Sequence, residues 1–490
     1  MAHLPQKCFY RAQQVRELDQ RAIAAGISGF TLMQRAGTAA CRNLRMLYPR
    51  ARRITVVCGA GNNGGDGYIV AAEALKGGLE VRLLQVSGPA SEVARQAADS
   101  WEHAGGVSTA FDPAGLADSD LIVDALLGTG LGRPVRDAYE QAVRAINDHP
   151  APVIALDIPS GLHADTGAIM GIAVRAELTL TFIARKTGLY TGAGREVSGR
   201  ILFDSLDAPD FIYADMPADA CETSVRQCQS WLPRRAADAH KGSSGSLLVV
   251  GGDLSMSGAV GLAGRTAYAT GTGLVRVATR PENICQVTGM QPELLVDGVA
   301  QASELLTIIG KVNAQLLGPG LGTSAWSRAL FETCLEHGNV AVLDADGLNL
   351  LAEEPVRRVH WILTPHPGEA ARLLGTAVVD IQRDRVGAAK EIVAHYGGVC
   401  VLKGSGTIVA AEGSIPRLCT GGGPALATAG SGDVLAGLIA SLIVQGMQPW
   451  YAAVAGVTLH ARAGEVTAAA GMFASELVNP IRELRNLVRT

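Results

Sequence analysis

Short apolar runs rich in β-branched residues alternate with longer helix-compatible stretches along most of the chain, and this rhythm limits the fold more than any other feature. In the first half it predicts strands over 54–58, 81–86, 121–124, 153–157, 178–182 and 201–203. Helices are predicted over 14–25, 31–47, 68–76, 91–103 and 135–147. Strands separated by helices point to a mostly parallel sheet covered on both faces. Over 207–235 the rhythm fades into a polar segment with three prolines and no clear period. That segment reads as a boundary. The alternation then restarts, with strands over 246–250, 274–279, 314–317, 340–344, 361–364 and 399–402 and a small-residue helix over 260–270. Two α/β domains are expected, 1–215 and 230–490, with a linker at 216–229.

Composition matters here mainly for glycine, which supplies 59 of 490 residues, above the usual share. The excess falls largely in breaks after predicted strands, where ligands of open α/β sheets bind. Charge excludes more than it suggests. Forty-two basic against 46 acidic residues, with no long basic run, argue against a nucleic-acid partner. The longest apolar stretch, 434–444, is too short to span a bilayer, so no membrane partner is expected. The first 20 residues lack the apolar core of a secretory signal. Nine cysteines are scattered without a C-x-x-C pair or a zinc-type cluster. A reducing cytoplasm is the expected setting.

The densest local feature is CGAGNNGGDG, residues 58–67, between a predicted strand and helix. Gly59, Gly61 and Gly64 satisfy the dinucleotide spacing G-x-G-x-x-G. Two details oppose that use. The next strand ends in Gln85-Val86-Ser87 without a ribose-binding acid, and Asp66 would repel a pyrophosphate. No Lys-Ser/Thr follows, so a P-loop is excluded. Asn and Asp oxygens suit a polar or cationic ligand better. The plainer alternative is a tight turn with Asp66 capping the helix. Asp124 and Asp157 close two further strands, the second followed by Pro159-Ser160-Gly161. Strand-end placement lets Asn63, Asp124, Asp157 and Ser160 converge on one pocket.

GAGNNGGDG, DALLGTGLGR, DIPSGL and LMQRAG together resemble the NAD(P)H-hydrate epimerase domain, over essentially all of the first half. The resemblance implies a Rossmann-like fold and a potassium ion held by Asn63, Asp124 and Ser160. It implies substrate contacts at Asn62, Asn63, Gly64, Gly65 and Asp66, at Gly128, Thr129, Gly130, Leu131, Gly132, Arg133 and Pro134, and at Asp157. Asp157 is expected to assist proton movement while the C6 hydroxyl of the hydrate leaves and returns.

In the second half, ATAGSGDVLAG (427–437) runs a glycine turn into an apolar helix. Amides at such a helix start form an anion site, able to hold a phosphoryl group in transfer. Asp433 sits beside it, placed to take a proton from an attacking hydroxyl, or alternatively to cap the turn. His366, taken alone, reads as a hydrogen-bonded loop residue. In order, HKGSSGSLLVVGG, GPGLG, DADGLN, TPHPGE, KGSGT and AGSGDVLAG resemble the ribokinase-like superfamily and, within it, the ADP-dependent NAD(P)H-hydrate dehydratases. That implies hydrate contacts at Ala259, Gly320, His366 and Asp433. It implies nucleotide contacts at Lys403, Gly404, Ser405, Gly406, Thr407 and Gly432. It also brings ADP as co-substrate and a magnesium ion on the phosphates. The family's N-x-G-M-A-T run is replaced by GPALAT at 423–428.

The expected enzyme is a fused isomerase and lyase that epimerises R and S NADHX or NADPHX and dehydrates the S form, with AMP and phosphate as by-products. Members of the family often assemble, so a homo-oligomer is an expectation carried by resemblance. A vitamin-precursor kinase would fit TPHPGE and AGSGD but leave GAGNNGGDG unexplained. A nucleotide-sensing binding module would not require Asn63, Asp157 and Asp433 together.

Overall fold

The computed structural model describes residues 7–235, 237–238, 240–467 and 471–486. By contact the chain divides into two compact units, Cys8–Ala220 and, in the main, Cys221–Thr490.

In the first unit seven parallel strands form one sheet. Its order is Ser108–Ala110, Glu80–Gln85, Arg53–Cys58, Leu121–Ala125, Val153–Leu156, Leu178–Phe182 and Arg200–Asp204. Central strands such as Leu121–Ala125 are buried at every position, which is why they read as continuous apolar runs rather than as alternation. The order reverses between Arg53–Cys58 and Leu121–Ala125, and a crevice opens beyond their carboxyl ends. A short separate pair, Cys8–Tyr10 with Arg185–Lys186, sets Tyr10 opposite Lys186.

In the second unit the order is Leu295–Gly298, Leu274–Thr279, Ser246–Val250, Ala314–Leu317, Val340–Leu343, Ile362–Leu363 and Val399–Leu402, all parallel. Thr407–Ala411 and Arg417–Cys419 then continue it antiparallel. Helix Ser431–Val444 is apolar around its circumference because it is buried on all sides. It packs on helix Ser257–Ala269 and on the strands Ser246–Val250, Ala314–Leu317 and Val340–Leu343. At their crossing a Cβ on Gly437 would stand 2.3 Å from the Ala263 carbonyl oxygen, so only glycine permits the approach.

Three sequence expectations change. The helix expected over 68–76 begins at Asn62, and its N-cap is Gly61. Its first turns carry Gly64, Gly65 and Gly67, whose poor helix propensity hides it. Tertiary contact compensates: a Cβ on Gly64 would lie 2.0 Å from the Gly59 carbonyl oxygen. Asp66 is therefore inside the helix and does not cap it. The helix expected from 135 begins at Asp137. The segment read as a featureless linker holds helix Val225–Trp231, capped by Ser224 and anchored by the fully buried Cys228. Seven residues show too little periodicity to be seen in sequence. Among the described residues no helix is long and apolar enough to cross a membrane.

Candidate active site

The first unit encloses a cavity of about 650 Å³ beyond the carboxyl ends of its central strands. Asn62, Asn63, Asp66, the 126–133 loop and Asp157 all line it. Pro134 does not line it, and Gly64 and Gly65 turn inward as packing residues.

Around the Leu127 carbonyl three expected side chains meet. Asn63 Nδ2 donates to it over 3.0 Å and Ser160 Oγ over 3.2 Å. Asp124, fully buried, accepts from Ser160 Oγ (2.6 Å), Ser160 N (2.8 Å) and Leu126 N (3.2 Å). Burial nevertheless pushes its carboxyl up to about 6, against the pull of those hydrogen bonds. Asn63 Oδ1 is buried and has no hydrogen-bond partner. An orphaned amide oxygen and a buried carboxylate are hard oxygen donors of the kind a cation takes.

Asp157 follows the strand Val153–Leu156 directly, at φ 62°, a strained conformation for a non-glycine residue and one typical of functional positions. The turn aims its carboxylate into the cavity, where it pairs with Lys186 and accepts from Phe182 N over 3.2 Å. Lys186 is 1% exposed, and its ammonium also donates to Thr181 Oγ1 and the Phe182 carbonyl. Asp19 lines the same cavity. Burial lifts its carboxyl to about 6, with Lys186 opposing. Sequence reading missed both residues. Asp19 carried a usable signal: it shares a helical stripe with the buried Val15, Leu18 and Ala22, an odd place for a carboxylate. Lys186 carried none.

In the second unit the charged groups gather at the start of helix Ser431–Val444. The Lys403 ammonium bonds Asp344 Oδ1 over 2.7 Å and lies 3.8 Å from Glu369 Oε2. A Cβ on Gly432 would sit 3.4 Å from Lys403 Nζ and 3.9 Å from Asp344 Oδ2, which fixes the helix start against the pair. Asp433 is raised to about 7 by burial first and then by the Asp344 charge, with Lys403 opposing. Glu369 is raised to about 7, again chiefly by burial. Ala345, at φ 48°, turns the chain between Asp344 and Asp346. Gly320 and Ala259 are neighbours: a Cβ on the first would stand 3.1 Å from that of the second.

His366 caps helix Pro367–Leu374, its Nδ1 accepting from Gly368 N and Glu369 N. Burial and the positive charges of Lys403 and Arg372 hold its pKa down, so the ring is neutral with its proton on Nε2, 3.3 Å from Glu369 Oε1. The loop reading of His366 thus describes its local bonding, while Glu369 ties it to the charged cluster. Lys403–Gly406 forms a turn into an antiparallel strand. Buried Arg385 bonds the carbonyls of Leu402, Lys403 and Gly406 from beneath. His460, missed in sequence, donates to the Ser431 carbonyl over 3.0 Å, and burial lowers it to about 4.

Comparison with known proteins addresses both units. Residues 29–188 match the family described as YjeF-related protein N-terminus, and residues 247–482 match NAD(P)H-hydrate dehydratase. Over its length the chain is 43% identical to the bifunctional NAD(P)H-hydrate repair enzyme Nnr of Coxiella burnetii, covering 98% of this chain and 99% of that one. The chain belongs to the bifunctional NAD(P)H-hydrate repair enzymes. The repair enzyme of the same name from Escherichia coli is 42% identical, covering 99% and 95%. A solved ribokinase-like protein from Enterococcus faecalis overlays 55% of this chain and 95% of its own with TM-score 0.51 at 22% identity, a likeness of fold. As a bifunctional repair enzyme the chain carries an epimerase unit and a dehydratase unit.

Proposed function

We propose that the first unit interconverts the R and S hydrates of NADH and NADPH at the 650 Å³ cavity, and that the second dehydrates the S form at the expense of ADP. Asp157 assists proton movement while the C6 hydroxyl leaves and returns. The hydrate lies along Asn62, Asn63, Asp66 and the 128–133 loop. A potassium ion fits the donor set of Asn63 Oδ1, Asp124 and Ser160, because it would satisfy the Asn63 amide oxygen, which is buried without a partner. There it would neutralise Asp124.

In the dehydratase unit Asp433 removes the proton of the C6 hydroxyl, and that oxygen attacks the terminal phosphate of ADP. The amides at Gly430–Asp433 hold the transferring group, and the phosphate ester then leaves to restore the reduced nicotinamide. Ala259, Gly320 and His366 contact the hydrate. The 403–407 turn and Gly432 contact the nucleotide. Among the described residues no three His, Cys, Asp or Glu side chains gather to hold a metal. A magnesium ion would sit with the phosphates, where it would supply charge neutralisation.

One observation carries this reading: Asp433 is a carboxyl poised near neutrality at a helix start, beside the Lys403–Asp344 pair. The test incubates mixed R and S hydrate with ADP, then with ATP, with and without potassium. Complete recovery of the reduced-nicotinamide chromophore with AMP formation is expected. A stable phosphorylated product would indicate a kinase.

A further inference from the structure

Among the charged groups of the epimerase cavity, only Asp157 has a role in proton movement so far. Lys186 is sealed, with all its donors engaged by Asp157, Thr181 Oγ1 and the Phe182 carbonyl. An ammonium so spent is not available to a substrate. Asp66 is the reverse case. It lines the cavity, and its carboxyl receives no hydrogen bond among the described residues. The charges acting on it are the carboxyls of Asp157 and Asp19 and the ammonium of Lys186. Arg16 and Arg133 stand exposed at the cavity wall, and the Tyr139 hydroxyl accepts from Ala60 N. Burial first, then the two neighbouring carboxylates, holds the Asp66 carboxyl well above the usual range, while Lys186 pulls it down. A carboxyl that receives no hydrogen bond and faces other carboxylates is biased toward its protonated form.

We propose that Asp66 is the proton donor to the leaving C6 hydroxyl and that Lys186 is a positioning residue which fixes Asp157 in the same cavity. The proposal rests on the role given above to Asp157 and divides that labour. The Asp66 carboxyl protonates the hydroxyl, the C6–O bond breaks, and its electron pair leaves with water. The ring-nitrogen lone pair forms a C=N bond to C6, and the Asp157 carboxylate supplies a fixed negative charge to this transient cation. Water adds to the other face, the C6–O bond re-forms and the C=N pair returns to nitrogen; the Asp157 carboxylate takes the proton released by that water, and exchange with solvent restores the proton of Asp66. No oxidant or further reactant enters.

The test follows interconversion of separated R and S hydrates by the full chain without nucleotide. Asp66→Asn should lower kcat about 10²–10⁴-fold and should abolish the fall in kcat at high pH. A near-normal rate would overturn the assignment. Should that variant not fold, Asp66→Glu serves: a high-pH limb unmoved from wild type would sink it equally. Lys186→Met should lower kcat about tenfold or more with KM little changed. It should also move the high-pH limb upward, because the charge opposing Asp66 protonation is gone, and Lys186→Arg should recover part of the rate. An unmoved limb in Lys186→Met would reduce Lys186 to a structural residue. Wild-type epimerisation by Asp157→Asn would instead remove the reading on which the proposal rests, while the Asp66 result stands separately.

Discussion

Lys403 donates a hydrogen bond to Asp344 Oδ1 over 2.7 Å, and this pair is the only ammonium–carboxylate bond at the dehydratase helix start among the described residues. Asp344 is 2% exposed in its side chain. Removing one partner of such a pair leaves a buried charge. Lys403→Met should therefore cost about 3–5 kcal/mol, read by urea denaturation of the second unit. The same change deprives Asp433 and Glu369 of the positive charge that lowers both, so they should protonate at still higher pH.

Dehydration should be lost on acidification. Asp433 acts as a base only when ionised, and its carboxyl is lifted to about 7. The rate should fall as pH drops through that value and level off above it, the acid limb being set by the Asp433–Glu369 pair. Asp433→Asn should reduce AMP formation about 10²–10⁴-fold while leaving epimerisation untouched. Undiminished AMP release would remove the base assignment.

Potassium should matter to the first step alone. Asn63→Leu fills the space of the amide but provides no oxygen. Epimerisation by this variant should lose its potassium dependence, measured by exchanging potassium for a bulky organic cation. An equal potassium response in Asn63→Leu and wild type would place the ion elsewhere.

The helix crossing at Gly437 offers a selective lesion. An added methyl group would meet the Ala263 carbonyl oxygen at 2.3 Å, which neither backbone can evade cheaply. Gly437→Ala should destabilise the second unit by about 1–3 kcal/mol. Dehydratase activity should melt at a lower temperature while epimerase activity, assayed in the same sample, keeps its own.

Much of this arrangement was legible in sequence, and the reason is local. Fully buried parallel strands announce themselves as apolar runs, and the residues that follow them, Asp124, Asp157 and Ser160, inherit their positions from the strand ends. What escaped depends on distance along the chain. Asp157 and Lys186 are 29 residues apart and meet only because the Leu178–Phe182 strand returns beside its neighbour. The Arg385 support of the 403–406 turn arises in the same way. The helix beginning at Asn62 was hidden for a different reason: its glycines oppose helix formation locally and are justified only by what packs on them.

The sealing of Lys186 has a consequence for how a ligand enters. With that ammonium bonded to Asp157, Thr181 and Phe182, the interior of the epimerase cavity carries the carboxyls of Asp19, Asp66 and Asp157, while its exposed positive charge is Arg16 and Arg133. A dinucleotide is a long object with phosphates in the middle and an uncharged ring at the damaged end. For the hydrate proposed to bind there, such a polarity would favour one direction of travel, ring first and phosphates last.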